Sequence, residues 1–378
     1  MAQTMQLLSA AKVGFTTLSP DRKTVVSFDR EGRLYTFFKD GVTYRRSLAS
    51  TVDARWREGG RRRRRLSPEE AAELFAEAYR TAAACYPHAD AVVRKRLDEE
   101  ILRWTPQRLL EEGKRFAAVY KPISILPPDH YLSIVLQATE GCTWNRCTFC
   151  NFYQDRPFRA KTEEEFARHV DQVRRFLGRG VLMRKGLFLA DGNALALAPR
   201  RLESLLALAR SAFPGQSVYS FIDLYTGERK APESWRRLAE LGLHRVYIGM
   251  ETGLDELLRF LNKPGSAAEL VRFVSDLKAA GLAVGLIVMV GVGGREFRES
   301  HARTTLETIA RMPLSQGDLI YLSPFIEQPG TAYVQRRIDA ALTPMSAPQI
   351  EAELDRLARA LRARGLKAAR YDIREFVY

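Results

Sequence analysis

The 378-residue chain contains no uninterrupted apolar run approaching the roughly eighteen residues that a spanning helix needs. Its start, MAQTMQLLSAAKVGFTTLSPDR, offers neither a basic stretch leading into a long apolar segment nor a clear cleavage site. No secretory signal is therefore expected, and the cytosol is the expected compartment. Cysteine is scarce: there are four, and three fall between positions 142 and 150. Such usage argues against a disulfide framework and for a metal site in a reducing compartment. The fourth, Cys85, lies in the helical run AELFAEAYRTAAACY and reads as a small buried hydrophobe.

Acidic residues are outnumbered, 45 against 59 Lys and Arg, leaving a formal charge of +14. That excess favours an anionic partner: a nucleic acid, a phosphorylated or carboxylated metabolite, or a lipid surface. Its densest piece, Arg61 to Arg65 after Gly59-Gly60, reads equally as a solvated basic linker or a phosphate-binding patch, with no aromatics interleaved for base stacking.

Along the chain, residues 1–65 alternate short β-prone runs with turns, and Asp40-Gly41 marks a hairpin, so a small antiparallel element ending in the basic linker is expected. Residues 66–125 read as a helical accessory segment opened by Ser67 as N-cap, Pro68 and Glu70. From 126 to 335 six apolar strand-like runs, YLSIVLQA, GLFLA, SVYSFI, RVYIGM, AVGLIVMV and DLIYLSP, alternate with amphipathic helices, one of them opened by a Thr162/Glu165 capping box. That alternation makes the fold α/β with a parallel sheet, either open and doubly wound or an incomplete barrel, with its working face at the carboxyl ends of the strands. Residues 336–378 add a helix and a short strand-like tail.

The segment TEGCTWNRCTFCNFY sets Cys142, Cys147 and Cys150 in a C-x4-C-x2-C array directly after the first of these strands. Three thiolates can hold three corners of a 4Fe-4S cube and leave the fourth iron open. A zinc site would need one more ligand, for which His130 is the nearest histidine.

This array, and the phrase EGCTWNRCTFC, resembles the cluster loop of the radical S-adenosylmethionine superfamily, near the branch of the oxygen-independent coproporphyrinogen III oxidase and the Elongator catalytic subunit. The commonest superfamily spacing is C-x3-C-x2-C, and this loop is one residue longer. The resemblance covers roughly residues 126–335 and implies a partial (β/α)6 parallel barrel. It implies that Phe149 packs near the adenine of S-adenosylmethionine and that the backbone around Phe152 bonds the adenine edge. Asp191, Gly192 and Asn193, ending the second strand in GLFLADGNAL, would receive the methionine amino group. Glu251 in RVYIGMETG would touch the amino-acid or ribose part, and Gly291, Gly293 and Gly294 would admit backbone beneath the adenine. The proline-glycine turn of FIEQPGTAY is also similar.

The resemblance further implies a one-electron donor of flavodoxin or ferredoxin type and reductive cleavage of the cofactor to a 5'-deoxyadenosyl radical that abstracts hydrogen from an anionic small molecule or lipid. Tyr219, Asp223 and Tyr225 on the third strand are substrate-side candidates, with Tyr321 and Ser323 behind them; no catalytic residue is singled out. Too few cysteines remain for an auxiliary cluster, no D-x-H-x-x-G cobalamin motif occurs, and the last 40 residues are too few for an acetyltransferase. Radical modification of tRNA or other RNA, and a non-catalytic iron-sulfur or zinc protein, are the alternatives.

Overall fold

The structure, a computed structural model, describes residues 7–378. The first six residues of the expected antiparallel element lie outside the described residues. Seven strands, Leu8–Ala11, Phe15–Asp21, Thr24–Asp29, Leu34–Lys39, Val42–Arg46, Val52–Arg57 and Arg61–Arg65, form an antiparallel meander in chain order. At its expected hairpin Lys39 pairs with Val42, and Asp40 and Gly41 take φ of 49° and 80°, the left-handed pair that matches strand twist.

The arginine run corrects the expected linker: Arg61–Arg65 is the last strand of the meander, paired along Val52–Arg57. Its charge is largely committed. Arg63 and Arg65 reach the buried Asp53 at 3.0 and 3.2 Å, Arg64 pairs with Glu70 at 2.7 Å, and Arg61 with Glu375 at 3.1 Å.

One face of the meander, with Leu18, Val26, Phe28 and Phe37, packs on Phe75, Ala78 and Leu109 of the helices Pro68–Ala84 and Pro106–Val119. Ser67 and Glu70 form the expected capping box. Arg33 pins this layer to the rest of the chain: it bonds Asp29 at 2.8 Å and Glu112 at 3.1 Å, and donates to the carbonyls of Phe176 and Leu177 at 3.0 and 2.8 Å.

The six expected parallel strands are Ile134–Gln137, Leu187–Ala190, Val218–Ile222, Leu243–Glu251, Ala283–Val290 and Leu319–Pro324, lying side by side in chain order. Helices Glu163–Leu177, Pro199–Ala212, Pro232–Glu240, Ala267–Ala279 and Gly294–Ala310 connect them, the first opened by the Thr162/Glu165 capping box. The tail adds a seventh parallel strand, Ala368–Arg370, beside the sixth. Its last residue then reaches the opposite edge of the sheet. The Tyr378 hydroxyl accepts from Val135 N and donates to Ser133 O, both at 3.0 Å, while Tyr120 donates to Val135 O at 3.1 Å. These tyrosines cover backbone groups that a first strand without an outer neighbour would otherwise leave unpaired.

Candidate functional site

Cys142, Cys147 and Cys150 lie on the loop that leaves the first parallel strand, at the carboxyl end of the sheet, and all three are free and half-buried. The loop is braced from several sides. Trp144 Nε1 donates to Asn262 O at 2.9 Å, Asn262 Nδ2 to Arg146 O at 2.8 Å, and Thr148 N to Leu261 O at 3.0 Å. Thr148 O accepts from Tyr333 N at 2.9 Å. Asn145 takes φ of 48°, a left-handed turn that asparagine tolerates, inside the four-residue spacer between the first two cysteines.

Burial pushes the Cys147 thiol up to about 12, with Lys263 opposing and Glu251, Cys150 and Cys142 adding to the rise. Cys150 is also raised by burial, against a hydrogen bond from the Phe152 backbone. At neutral pH these are thiols that need a compensating cation or metal to ionise. Among the described residues no three His, Cys, Asp or Glu side chains close on one ion-sized point. The histidine considered as a zinc ligand is elsewhere. His130 precedes the first strand, at the end opposite the cysteines, and is buried between Ser133 at 2.7 Å and Tyr247 at 2.8 Å.

The second strand ends against the base of the cysteine loop. Gly192, at φ of 49°, approaches so closely that a Cβ there would lie 2.0 Å from Gly141 O. Its N–H donates to the Tyr153 hydroxyl at 3.2 Å. Asp191 is buried, which raises its pKa, and its Oδ2 has Arg156 at 3.8 Å but no hydrogen bond. Asn193 Nδ2 meets Thr143 Oγ1 and Thr226 Oγ1 at 2.8 Å and also the Asp223 carboxylate, while its buried Oδ1 has no partner. Asp223 is fully engaged: Thr143 Oγ1 donates to it at 2.9 Å, and the Thr226 N–H and hydroxyl at 2.7 Å. It joins the cysteine loop to the end of the third strand.

Glu251 closes the fourth strand at φ of 59°, where the register with the fifth strand shifts. Its Oε1 accepts from Lys263 Nζ at 2.9 Å. Burial disfavours the Lys263 ammonium, but Glu251 and the neighbouring Cys147 outweigh it and hold the pKa above the ordinary lysine value. Gly249 makes room for this pair, since a Cβ there would lie 2.3 Å from Glu251 Oε1 and 3.0 Å from Lys263 Nζ. Lys263 and Tyr153 were not among the expected residues. Lys263 lies in the turn-rich stretch NKPG, where no periodicity marks a buried position, and its only signal is a lysine following soon after GMETG.

Phe149 packs with Leu257, Leu261, Met289, Val292 and Tyr333, so it does meet the end of the fifth strand. The Phe152 carbonyl accepts from Ser124 Oγ at 3.2 Å, and its N–H faces Cys150. Tyr225 stands half-exposed at the rim, its ring 5.9 Å from that of Trp144, with the Arg229 guanidinium 3.9 Å above it.

Other expectations need correction. Tyr219 lies near the amino end of its strand, its ring 4.0 Å from His130 and 5.6 Å from His244, far along the barrel from the cysteines. Tyr321 donates to Asp129 at 2.7 Å at the same end. Gly293 and Gly294 approach protein, not open space: Gly293 N–H donates to Tyr333 at 2.9 Å, and a Cβ would meet Leu257 and Phe297 at 2.9 Å. At Gly294 a Cβ would lie 2.5 Å from Thr343 O, and at Gly291 3.0 Å from Ile350. Ser323 is buried in the sheet beside Met289.

The model of the radical SAM superfamily matches residues 136–309. No curated protein matches the chain. Among solved structures it is similar to the cobalamin-dependent S-adenosylmethionine radical enzyme OxsB, at 13% identity and a TM-score of 0.42 over 70% of this chain and 38% of that one. It is also similar to coproporphyrinogen III oxidase (HemN) from Escherichia coli, at 15% identity and 0.48 over 68% and 56%. A third is SuiB from Streptococcus suis, at 13% and 0.44 over 88% and 72%. The chain thus spans well under two thirds of the length of OxsB and of HemN. Residues 136–309, which carry the cysteine array, four whole parallel strands and the end of the first, match the radical S-adenosylmethionine superfamily of enzymes.

Proposed function

We propose that Cys142, Cys147 and Cys150 hold a single 4Fe-4S cluster and that the strand ends around them seat S-adenosylmethionine for hydrogen abstraction from an anionic small molecule or lipid. The family's cofactors are this cluster and S-adenosylmethionine, which together supply the initiating radical when reduced by an external electron donor. The observation carrying the proposal is the buried Glu251–Lys263 pair set against Cys147, on the loop that brings the three free cysteines to the carboxyl end of the sheet.

The residues present suit these groups. Three thiols without a fourth cysteine nearby leave one iron position free. The unpartnered Asn193 Oδ1, at the foot of the cysteine loop, is an acceptor suited to an ammonium group. Lys263 sits where it can steady a thiolate or a carboxylate. Asp223 and Thr143 fix the height of the loop over the sheet, a positioning role. Arg146 and Arg229 at the rim form no ion pair among the described residues and lie over Trp144 and Tyr225, which favours an anionic substrate. The Arg61–Arg65 strand, mostly paired, no longer supports an RNA substrate. Free cysteines suit a reducing, cytoplasmic setting, and a donor of flavodoxin or ferredoxin type would supply the electron.

The test is anaerobic reconstitution, reduction and addition of S-adenosylmethionine, with 5'-deoxyadenosine and methionine measured in wild type, Cys147→Ala and Cys85→Ala. Formation in wild type and Cys85→Ala but not in Cys147→Ala supports the assignment. Equal formation in Cys147→Ala would remove these cysteines from the site.

A further inference from the structure

The fourth strand ends in a turn that is held from one side by a single helix. Thr252 N–H donates to the Met250 carbonyl at 2.7 Å, closing a three-residue turn on Glu251, which takes φ of 59°. A turn of that hand is strained for a residue with a side chain and persists only where its surroundings fix it. Gly253 rests directly on the helix Gly294–Ala310. Its N–H donates to Thr305 Oγ1 at 2.9 Å, and a Cβ there would lie 2.6 Å from Thr304 O and 2.7 Å from Thr308 Oγ1. His301 shares a helix face with Thr305 and brings its Nδ1 to 2.7 Å from Thr252 Oγ1. Thr252 and His301 are both buried.

The direction of the His301–Thr252 bond follows from the remaining partners. The Thr252 hydroxyl accepts from Leu254 N–H at 3.0 Å, which leaves its own proton for His301 Nδ1. Burial keeps the ring neutral, holding its pKa down to about 4, while the Met289 backbone works in the opposite sense. A neutral imidazole that accepts at Nδ1 carries its proton on Nε2. That nitrogen is buried without a hydrogen bond, so the ring's one hydrogen bond goes to the residue next to Glu251. Beyond Leu254 the short helix Asp255–Phe260 turns the chain back, and Lys263 N–H donates to Leu258 O at 2.9 Å. The Thr252 hydroxyl thus bonds on both sides of the segment that brings Glu251 and Lys263 together.

We propose that Thr252 and His301 are positioning residues, which hold Glu251 in its left-handed turn with the carboxylate on Lys263. In that position Glu251 is one of the groups that seat S-adenosylmethionine, so the pair sets the affinity for this cofactor, a consequence that rests on the function proposed above. Removing either hydrogen-bonding atom leaves its buried partner unsatisfied and frees the turn to relax, which carries the carboxylate away from Lys263.

The experiment is equilibrium dialysis of S-adenosylmethionine against the anaerobically reconstituted, unreduced full-length protein, with iron per chain and melting temperature measured on the same samples. Thr252→Val and His301→Leu are expected to weaken binding about tenfold, the scale of one lost hydrogen bond, with iron per chain unchanged. Thr252→Ser keeps the hydroxyl, and His301→Asn sets an amide oxygen where Nδ1 stands, so both are expected to bind as wild type does. Tyr378→Phe removes a buried hydroxyl from the first strand, away from this turn, and is expected to melt lower without weakening binding. Glu251→Gln separates the two levels of the reading. Weakened binding in Glu251→Gln beside wild-type affinity in Thr252→Val and His301→Leu overturns the positioning role alone. Wild-type affinity in Glu251→Gln overturns Glu251 as a cofactor contact, and the positioning role with it. Weakening as great in Thr252→Ser and His301→Asn, or in Tyr378→Phe, also overturns it, because it marks a general effect of lost stability.

Discussion

Lys263 Nζ donates to Glu251 Oε1 at 2.9 Å in a pair that is shielded from water and lies beside Cys147. Removing one partner of such a pair strands the other. Lys263→Met is expected to cost about 3 kcal/mol, as for other broken buried ion pairs, and to raise the Cys147 thiol further, since Lys263 is the group that lowers it. Urea midpoints and iron per chain after reconstitution read the two effects separately. The double variant Lys263→Met/Glu251→Gln should regain much of the stability without regaining the iron. Full recovery of both would leave the pair a purely structural role.

Gly192 predicts a sharper effect. A Cβ there would lie 2.0 Å from the Gly141 carbonyl, and its φ of 49° is one that side-chain-bearing residues avoid. Gly192→Ala must therefore lift the base of the cysteine loop. Reconstituted iron content is expected to fall by more than half, while Gly215→Ala, at φ of 76° with open space around it, should hold its iron. Equal iron in the two variants would show that the loop tolerates displacement.

Much of this architecture was legible in the sequence, because apolar strand runs alternate with capped helices and glycines fall at strand ends. The C-x4-C-x2-C array was legible because thiol spacing along one loop is set by the chain itself. Position along a strand was not. Alternation gives the face on which Tyr219 points, but its height depends on where the strand starts, and Val218 starts it only one residue earlier. Lys263 escaped for a different reason: its burial comes from a turn folding back on Glu251, a contact made possible by Gly249 two residues before it. The three strand-end glycines were read as space for a ligand, whereas tertiary packing fills that space with Phe297, Thr343 and Ile350.

Acid sensitivity follows from three buried histidines. Burial lowers His130 and His301 to about 4 and His169 to about 3. Each folded pKa is depressed below the unfolded value near 6.5, so below that pH the unfolded chain binds protons that the folded chain refuses. Their stabilising contribution is complete above about pH 6.5 and is lost as pH falls towards 4, with a slope of at most about 4 kcal/mol per pH unit for three protons. His169 Nε2 accepts from Gln137 N at 3.0 Å, so His169→Gln can preserve an acceptor without the titration. Urea unfolding at pH 7 and pH 5 should show a smaller pH loss in this variant than in wild type. An identical loss would mean that other groups dominate.

The arginine strand gives a prediction opposite to the one its charge invites. Arg61–Arg65 is the outermost strand of the meander, where a row of like charges discourages edge-to-edge pairing with another chain. Asp53 is buried and depends on both Arg63 and Arg65. Removing both, as Arg63→Ala/Arg65→Ala, would leave a buried carboxylate unpaired and should destabilise the meander by a few kcal/mol. Arg62→Ala, which takes away an exposed side chain bonded only to the Glu58 carbonyl, should change stability little. Neither variant should alter how much tRNA the purified protein retains. Retention that falls steeply with salt in wild type and disappears in Arg62→Ala would instead make this strand a nucleic-acid contact, because counterion release follows the number of phosphates that the protein neutralises.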